Sequence, residues 1–253
     1  MGMIRDLHVK QPIPVRIQVL IAATFVVAVA LISTSGDSGP SAAANAAARL
    51  DCSGLSGNSD DLQPAQQRNA KIITAVAHTR GLDDDAATIG VSVALAEAAL
   101  LNVANDGTSD LYDTLHGREL TFGERAVARK SLSYPHDSIG NNLDSIGLFQ
   151  QRPMTGWGTP EQLIDPVIAS ELFFDQLAKT DNWQDMPPWA AAQAVQGSPD
   201  SSGQLYRDTF ERAGTVVSAL TAAGPAPFSD PVCLQTGLRR PGGTVWPPPG
   251  LDD

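Results

Sequence analysis

Residues Ile17 to Ile32 form an uncharged apolar run that follows a basic leader containing Arg5, Lys10 and Arg16. No folded sequence precedes this run, so it reads as an export signal whose basic flank stays in the cytoplasm. It separates the first 33 residues from whatever core the rest builds. The run is shorter than the roughly 20 residues of a comfortable membrane span. Ala28-Val29-Ala30 resembles a small-residue cleavage site but lies inside the apolar run. Two outcomes stay open: a retained single-pass anchor with an extracellular C-terminal domain, or a cleaved signal that releases a secreted one.

Composition sets the remaining boundaries. Residues 34–64 read as a flexible linker, rich in Ser, Gly and Ala at their start. Residues 65–223 are the expected folded domain. Residues 224–253 hold Pro225, Pro227, Pro231, Pro241, Pro247, Pro248 and Pro249, and such a tail cannot bury a core. Two cysteines, Cys52 and Cys233, bracket the domain. In an exported chain they point to one disulfide joining its entry to its exit. The histidines His8, His78, His116 and His136 are scattered without ligand spacing, so no metal site is expected. A net charge of -11 argues against nucleic acid as a partner.

Within 65–223 the periodicity is helical and predicts a mainly α domain. Ile72, Ile73, Val76 and Ala77 recur at helical spacing over Gln66 to Thr79. Asp83-Asp84-Asp85 supplies negative charge to the start of the next helix, expected to end near Asn105-Asp106-Gly107. Thr121 and Glu124 form a capping-box pattern for a helix through Leu132. Asp165-Pro166 opens another over Val167 to Ala178, expected to bury Ile168, Leu172, Phe173 and Leu177. A short helix from Trp189 to Val195 and a closing one from Gln204 to Leu220 follow. No useful strand alternation is present, although Ser138 to Gln151 leaves room for a short hairpin.

Two segments carry chemistry. Glu97 stands in an otherwise apolar run, with Val93, Ala94, Leu100 and Leu101 at helical neighbour positions. Desolvation of a carboxylate there raises its pKa and equips it as a general acid. The alternative is a surface glutamate at the edge of an apolar stripe. The second segment is Asn141 to Gly158. Gly147 permits close backbone approach, and Gln150 and Gln151 offer amides for sugar hydroxyl or acetamido groups. Trp157, between Gly156 and Gly158, offers an apolar face for a sugar ring. Leu148 and Phe149 read as core plugs. Asp144 is the best candidate for a second carboxylate, although its setting suits a turn or cap.

Ala96-Glu97-Ala98 followed by Ser145-Ile-Gly-Leu-Phe-Gln150 resembles the first two motifs of the lytic transglycosylase and goose-type lysozyme superfamily. The closer resemblance is to an actinobacterial branch of lysozyme-like cell-wall domains. It is carried by Gly147-Leu-Phe-Gln-Gln-Arg-Pro153, Gly156-Trp-Gly-Thr-Pro160 and Ala191-Ala-Gln-Ala-Val-Gln196, and covers roughly residues 70–220. It implies a lysozyme-like fold, Glu97 as the single acid/base, and a groove lined by Ser145, Gly147, Gln150, Gln151, Trp157 and Gln196. The family's third motif places Tyr-Asn ahead of Gly; here Gln193-Ala-Val-Gln-Gly197 has no tyrosine, and Gln196 takes the asparagine position. The acid is therefore expected to lack the group that steadies it. A stretch of about 107–140 exceeds the family pattern and reads as a lid, a partner surface or a solvated loop, with Tyr134-Pro-His-Asp137 within reach of the groove.

By that resemblance, the chain cleaves the MurNAc-GlcNAc β-1,4 bond of peptidoglycan, a glycosidase reaction of the lytic transglycosylase type that needs no cofactor. The second reading is a catalytically silent module that binds peptidoglycan or scaffolds other cell-wall enzymes. Retention of Glu97 favours the enzyme; the missing tyrosine and the acidic charge favour the silent module. A third reading, a helical interaction protein unrelated to sugar, requires the motif matches to be accidental.

Overall fold

A computed structural model describes residues 54–197 and 202–222. The expected segment 1–33, most of the linker, Cys52, Cys233 and the tail 224–253 lie outside the described residues. Among the described residues, no helix is long and apolar enough to cross a membrane.

The domain is mainly α-helical. Helix α1, Pro64–Thr79, starts on a proline whose missing N–H is no loss in the first turn, and the Gln66 side chain accepts from the Gln63 N–H at 2.9 Å. It buries Ile72, Ile73, Val76 and Ala77. Helix α2, Asp84–Ala98, is capped by Asp83, whose side chain accepts from the Ala86 N–H. It stops at Ala98, well before the expected Asn105–Gly107. Ala99 and Leu100 both adopt positive φ, 49° and 61°, which turns the chain and buries Leu100. Side chains of α1 hold the corner: Gln66 Nε2 donates to the Ala99 carbonyl at 2.8 Å and Asn69 Nδ2 to the Leu100 carbonyl at 2.7 Å.

The freed residues become strand β1, Val103–Asn105, paired in parallel with β4, Ser138–Gly140. Between them lie the antiparallel pair β2, Tyr112–Asp113, and β3, Arg118–Glu119, then helix α3, Phe122–Arg129. Strands this short leave no alternation in sequence. An antiparallel bridge between Ile146 and Gln151 falls in the window left open for a hairpin. The Thr121–Glu124 capping box forms, and a 3-10 turn at Lys130–Ser133 continues α3.

Helix α4, Pro160–Ile164, and α5, Pro166–Lys179, follow, then α6, Pro188–Gln196, and α7, Gln204–Thr221. In α5, Phe173, Phe174 and Leu177 are buried, while Ile168 and Leu172 are half-buried rather than core. Phe149 stacks on Phe173 at 4.7 Å, so Leu148 and Phe149 do plug the core. The main core joins α1, α2, α5, α6 and α7; a smaller cluster of Ala104, Ile146, Leu163 and Ile164 lies beneath the β1 region. The packed domain starts earlier than residue 65. Leu55 is buried, and the Gly57 N–H donates to the Leu220 carbonyl at 3.0 Å. Apolar burial at Leu55 outweighs the linker-like composition around it.

Candidate active site

Glu97 lies in the last turn of α2 and is half-buried. The Tyr206 hydroxyl donates to its Oε1 at 2.6 Å. The Gln196 amide also hydrogen-bonds the carboxylate, and Gln196 Nε2 donates to the Phe149 carbonyl at 2.9 Å. Burial raises the Glu97 pKa above its ordinary value, while the hydrogen bonds from Tyr206 and Gln196 pull it back in part. Three elements thus meet on one carboxyl: α2 brings the acid, α6 the amide and α7 the phenol.

Tyr206 corrects the expectation that the acid lacks a steadying phenol. It arrives from α7 rather than α6. A sequence signal existed: Tyr206 shares the apolar face of α7 with Ala213, Val217 and Leu220, and a buried tyrosine needs a partner for its hydroxyl. The Tyr206 carbonyl accepts from Ser92 Oγ of α2 at 2.9 Å, which fixes the two helices in register.

Glu97 opens onto a cavity of about 580 Å³. Of the residues expected in the groove, Ser145, Gln150, Trp157 and Gln196 line it. Gly147 and Gln151 do not line it. Gly147 has φ +78°, and a Cβ there would lie 2.1 Å from the Leu163 carbonyl oxygen, so its role is close backbone packing. Gln151 is buried; its Nε2 donates to the Ala169 carbonyl and its backbone bridges Ile146. The antiparallel bridge turns alternate residues to opposite sides, which sends Gln151 inward while Gln150, at positive φ, faces the cavity.

The extra stretch 107–140 supplies Asp113, Thr114 and Leu115 to the cavity wall. Tyr134–Asp137 does not line it. Asp137 accepts from Arg68, from Asn69 Nδ2 and from the Asn102 N–H, strapping the chain to α1. Asp144 is buried and accepts from Arg152 Nε at 2.5 Å and the Met154 N–H at 2.8 Å, so it anchors the loop instead of facing substrate.

The second carboxylate of the cavity is Asp113, which sequence reasoning missed. Arg152, His116 and the Leu115 and His116 N–H groups all donate to it. The Arg152 guanidinium, with help from His116, holds its carboxyl far below the usual carboxylate range despite burial. The site therefore carries one acid biased towards its proton and one locked as an anion.

Compared with known proteins, the chain matches no family model and no curated sequence.

Proposed function

We propose that this chain cleaves peptidoglycan glycan strands at the MurNAc-GlcNAc β-1,4 bond, with Glu97 as sole acid/base in a lysozyme-like domain. The observation that carries the reading is the Glu97 carboxyl itself, half-buried at the edge of a 580 Å³ cavity and held by Tyr206 and Gln196. A carboxyl whose pKa is raised keeps its proton nearer neutral pH, as protonation of a glycosidic oxygen requires.

A two-carboxylate hydrolysis needs a second free carboxylate as base or nucleophile. Asp113 is engaged by Arg152, His116 and two backbone N–H groups, so it is ill placed to leave them. This favours the lytic route. Glu97 protonates the bridging oxygen, the substrate's acetamido group stabilises the cation, and the Glu97 carboxylate then accepts the proton of the sugar's own 6-hydroxyl. The product is a 1,6-anhydro sugar. Gln150, Ser145 and Trp157 are suited to hold the sugar by amide, hydroxyl and ring contacts. The uncharged run Ile17 to Ile32 would put the domain outside the cell, on the membrane or secreted to the wall.

The test is digestion of peptidoglycan by the full-length protein beside Glu97→Gln, with products identified by mass spectrometry. Anhydro-muramyl ends made only by the parent support the lytic reading, and reducing ends would make it a muramidase. Binding without products from either protein would leave the silent wall-binding module.

A further inference from the structure

We infer that the cleft selects glycan strands whose lactyl carboxyl is tied up in an amide with a stem peptide, and discriminates against strands stripped to the free carboxylate. This rests on the glycan-cleaving reading above. Its basis is the charge inventory of the cavity wall. Among the described residues lining the cavity, Arg152 is the sole base. Its guanidinium is already shared by two carboxylates: Nη2 donates to Asp113 at 2.5 Å and Nε to Asp144 at 2.5 Å. Two carboxylates thus share one guanidinium, an excess of one negative charge, to which Glu97 adds only after it has given up its proton. The other groups at the wall, among them Thr114, Asn142, Gln150 and Trp157, are neutral. Of the bases close by in sequence, His116 is bonded to Asp113, Arg118 makes a two-pronged pair with Glu124, and Arg207 lies over the Trp189 ring at 5.1 Å.

A muramic acid ring that has lost its peptide presents a carboxylate only a few bonds from the ring. In this cleft that charge meets the excess negative charge of the Asp113–Arg152–Asp144 cluster in a partly dry setting, where repulsion is stronger than in water. An amide at the same position is neutral and can exchange hydrogen bonds with side-chain amides such as those of Asn142 and Gln150. A stem peptide still carries carboxylates, but the first of them lies beyond at least one amino acid, where greater distance and screening weaken it. The reaction therefore belongs before the class of reaction that hydrolyses the lactyl amide. Its products keep their peptides and remain substrates for that hydrolysis.

The experiment compares three soluble strand preparations with the full-length protein: peptide-bearing strands, the same strands freed of peptides, and freed strands whose carboxylates are recapped as neutral methylamides. We expect KM for the freed strands to rise about tenfold at low salt, the equivalent of roughly 1.4 kcal/mol, with kcat changing less. Added salt should narrow the gap, and recapping should restore KM. Thr114→Lys, which adds a cation to the wall, should lower KM for freed strands. Equal KM for freed and peptide-bearing strands overturns the inference. So does a loss that neither salt nor recapping relieves, since that would mark contacts with the peptide instead of charge. Dissociation constants for the three strands are measured with Glu97→Gln. If the parent cuts none of them, the catalytic reading fails, while the order of those constants still decides the charge selectivity.

Discussion

The Tyr206 hydroxyl reaches Oε1 of Glu97 at 2.6 Å across 109 positions of chain. It joins the end of α2 to the first turn of α7, and the Ser92–Tyr206 hydrogen bond holds the same two helices one turn away. A donor at that distance favours the ionised carboxyl and opposes the effect of burial. It also fixes the direction in which the acid's other oxygen faces.

Tyr206→Phe keeps the ring and removes the donor. We expect kcat to fall about tenfold, the scale of a hydrogen bond to a charged group. The alkaline limb of the pH–rate profile should move to higher pH, because the carboxyl loses a group that lowers its pKa. A limb that stays put or moves down would mean the phenol does not act on the ionised form.

Glu97→Gln should abolish turnover, by at least about a hundredfold, yet stabilise the fold. Burial raises the native pKa of Glu97 above its unfolded value. The native state then holds its proton more tightly, so this group's contribution to stability falls as pH rises from the unfolded pKa through the native one. The amide carries no such penalty. The variant should be more stable at pH 7, and the gain should shrink as pH falls towards the unfolded carboxyl's pKa. Thermal unfolding at pH 7 and pH 4 checks this.

The helices were largely legible in sequence because their signals are local. Asp83, Thr121 and Asp165 each cap the helix they announce. The stop of α2 was not legible, since nothing in Ala99-Leu100 forbids helix; α1 side chains and the burial of Leu100 decide it. The partial burial of Glu97 could be read from its apolar company. Its partner could not be placed, because the pairing of α2 with α7 is a tertiary fact. Gln150 and Gln151 are alike in sequence, and only the backbone turn at Gly147–Gln151 sorts one to the cavity and the other to the core.

Arg152→Met removes the guanidinium shared by two nearly inaccessible carboxylates, Asp113 and Asp144. Leaving such charges without a partner costs about 3–5 kcal/mol at neutral pH. The deficit should shrink as pH falls, because Asp113 without its guanidinium accepts a proton more readily. Urea unfolding at pH 7 and pH 4 measures both; a loss under about 1 kcal/mol at pH 7 would show that the cluster contributes little to the fold.

Leu55 sits in the core ahead of the first helix. Leu55→Ala should destabilise the domain by about 2–5 kcal/mol. A chain that begins at residue 65 should be weakened at least as much, since it also loses the Gly57–Leu220 hydrogen bond. Denaturant midpoints that match the parent would return residues 54–64 to the linker.

The pairing of α2 with α7 also orders events during synthesis. Chains emerge from the N-terminus, so the segment bearing Glu97 leaves the ribosome well before the one bearing Tyr206. Until α7 docks, the carboxyl has neither its phenol nor the helix that covers it, so the burial that raises its pKa and the hydrogen bond that lowers it are both incomplete. On the proposed reading, the setting of the acid is therefore completed last, with closure of the longest-range contact in the site. By the same reading, a nascent or truncated chain that ends before α7 should be silent by construction of the fold, without any inhibitor to keep it so.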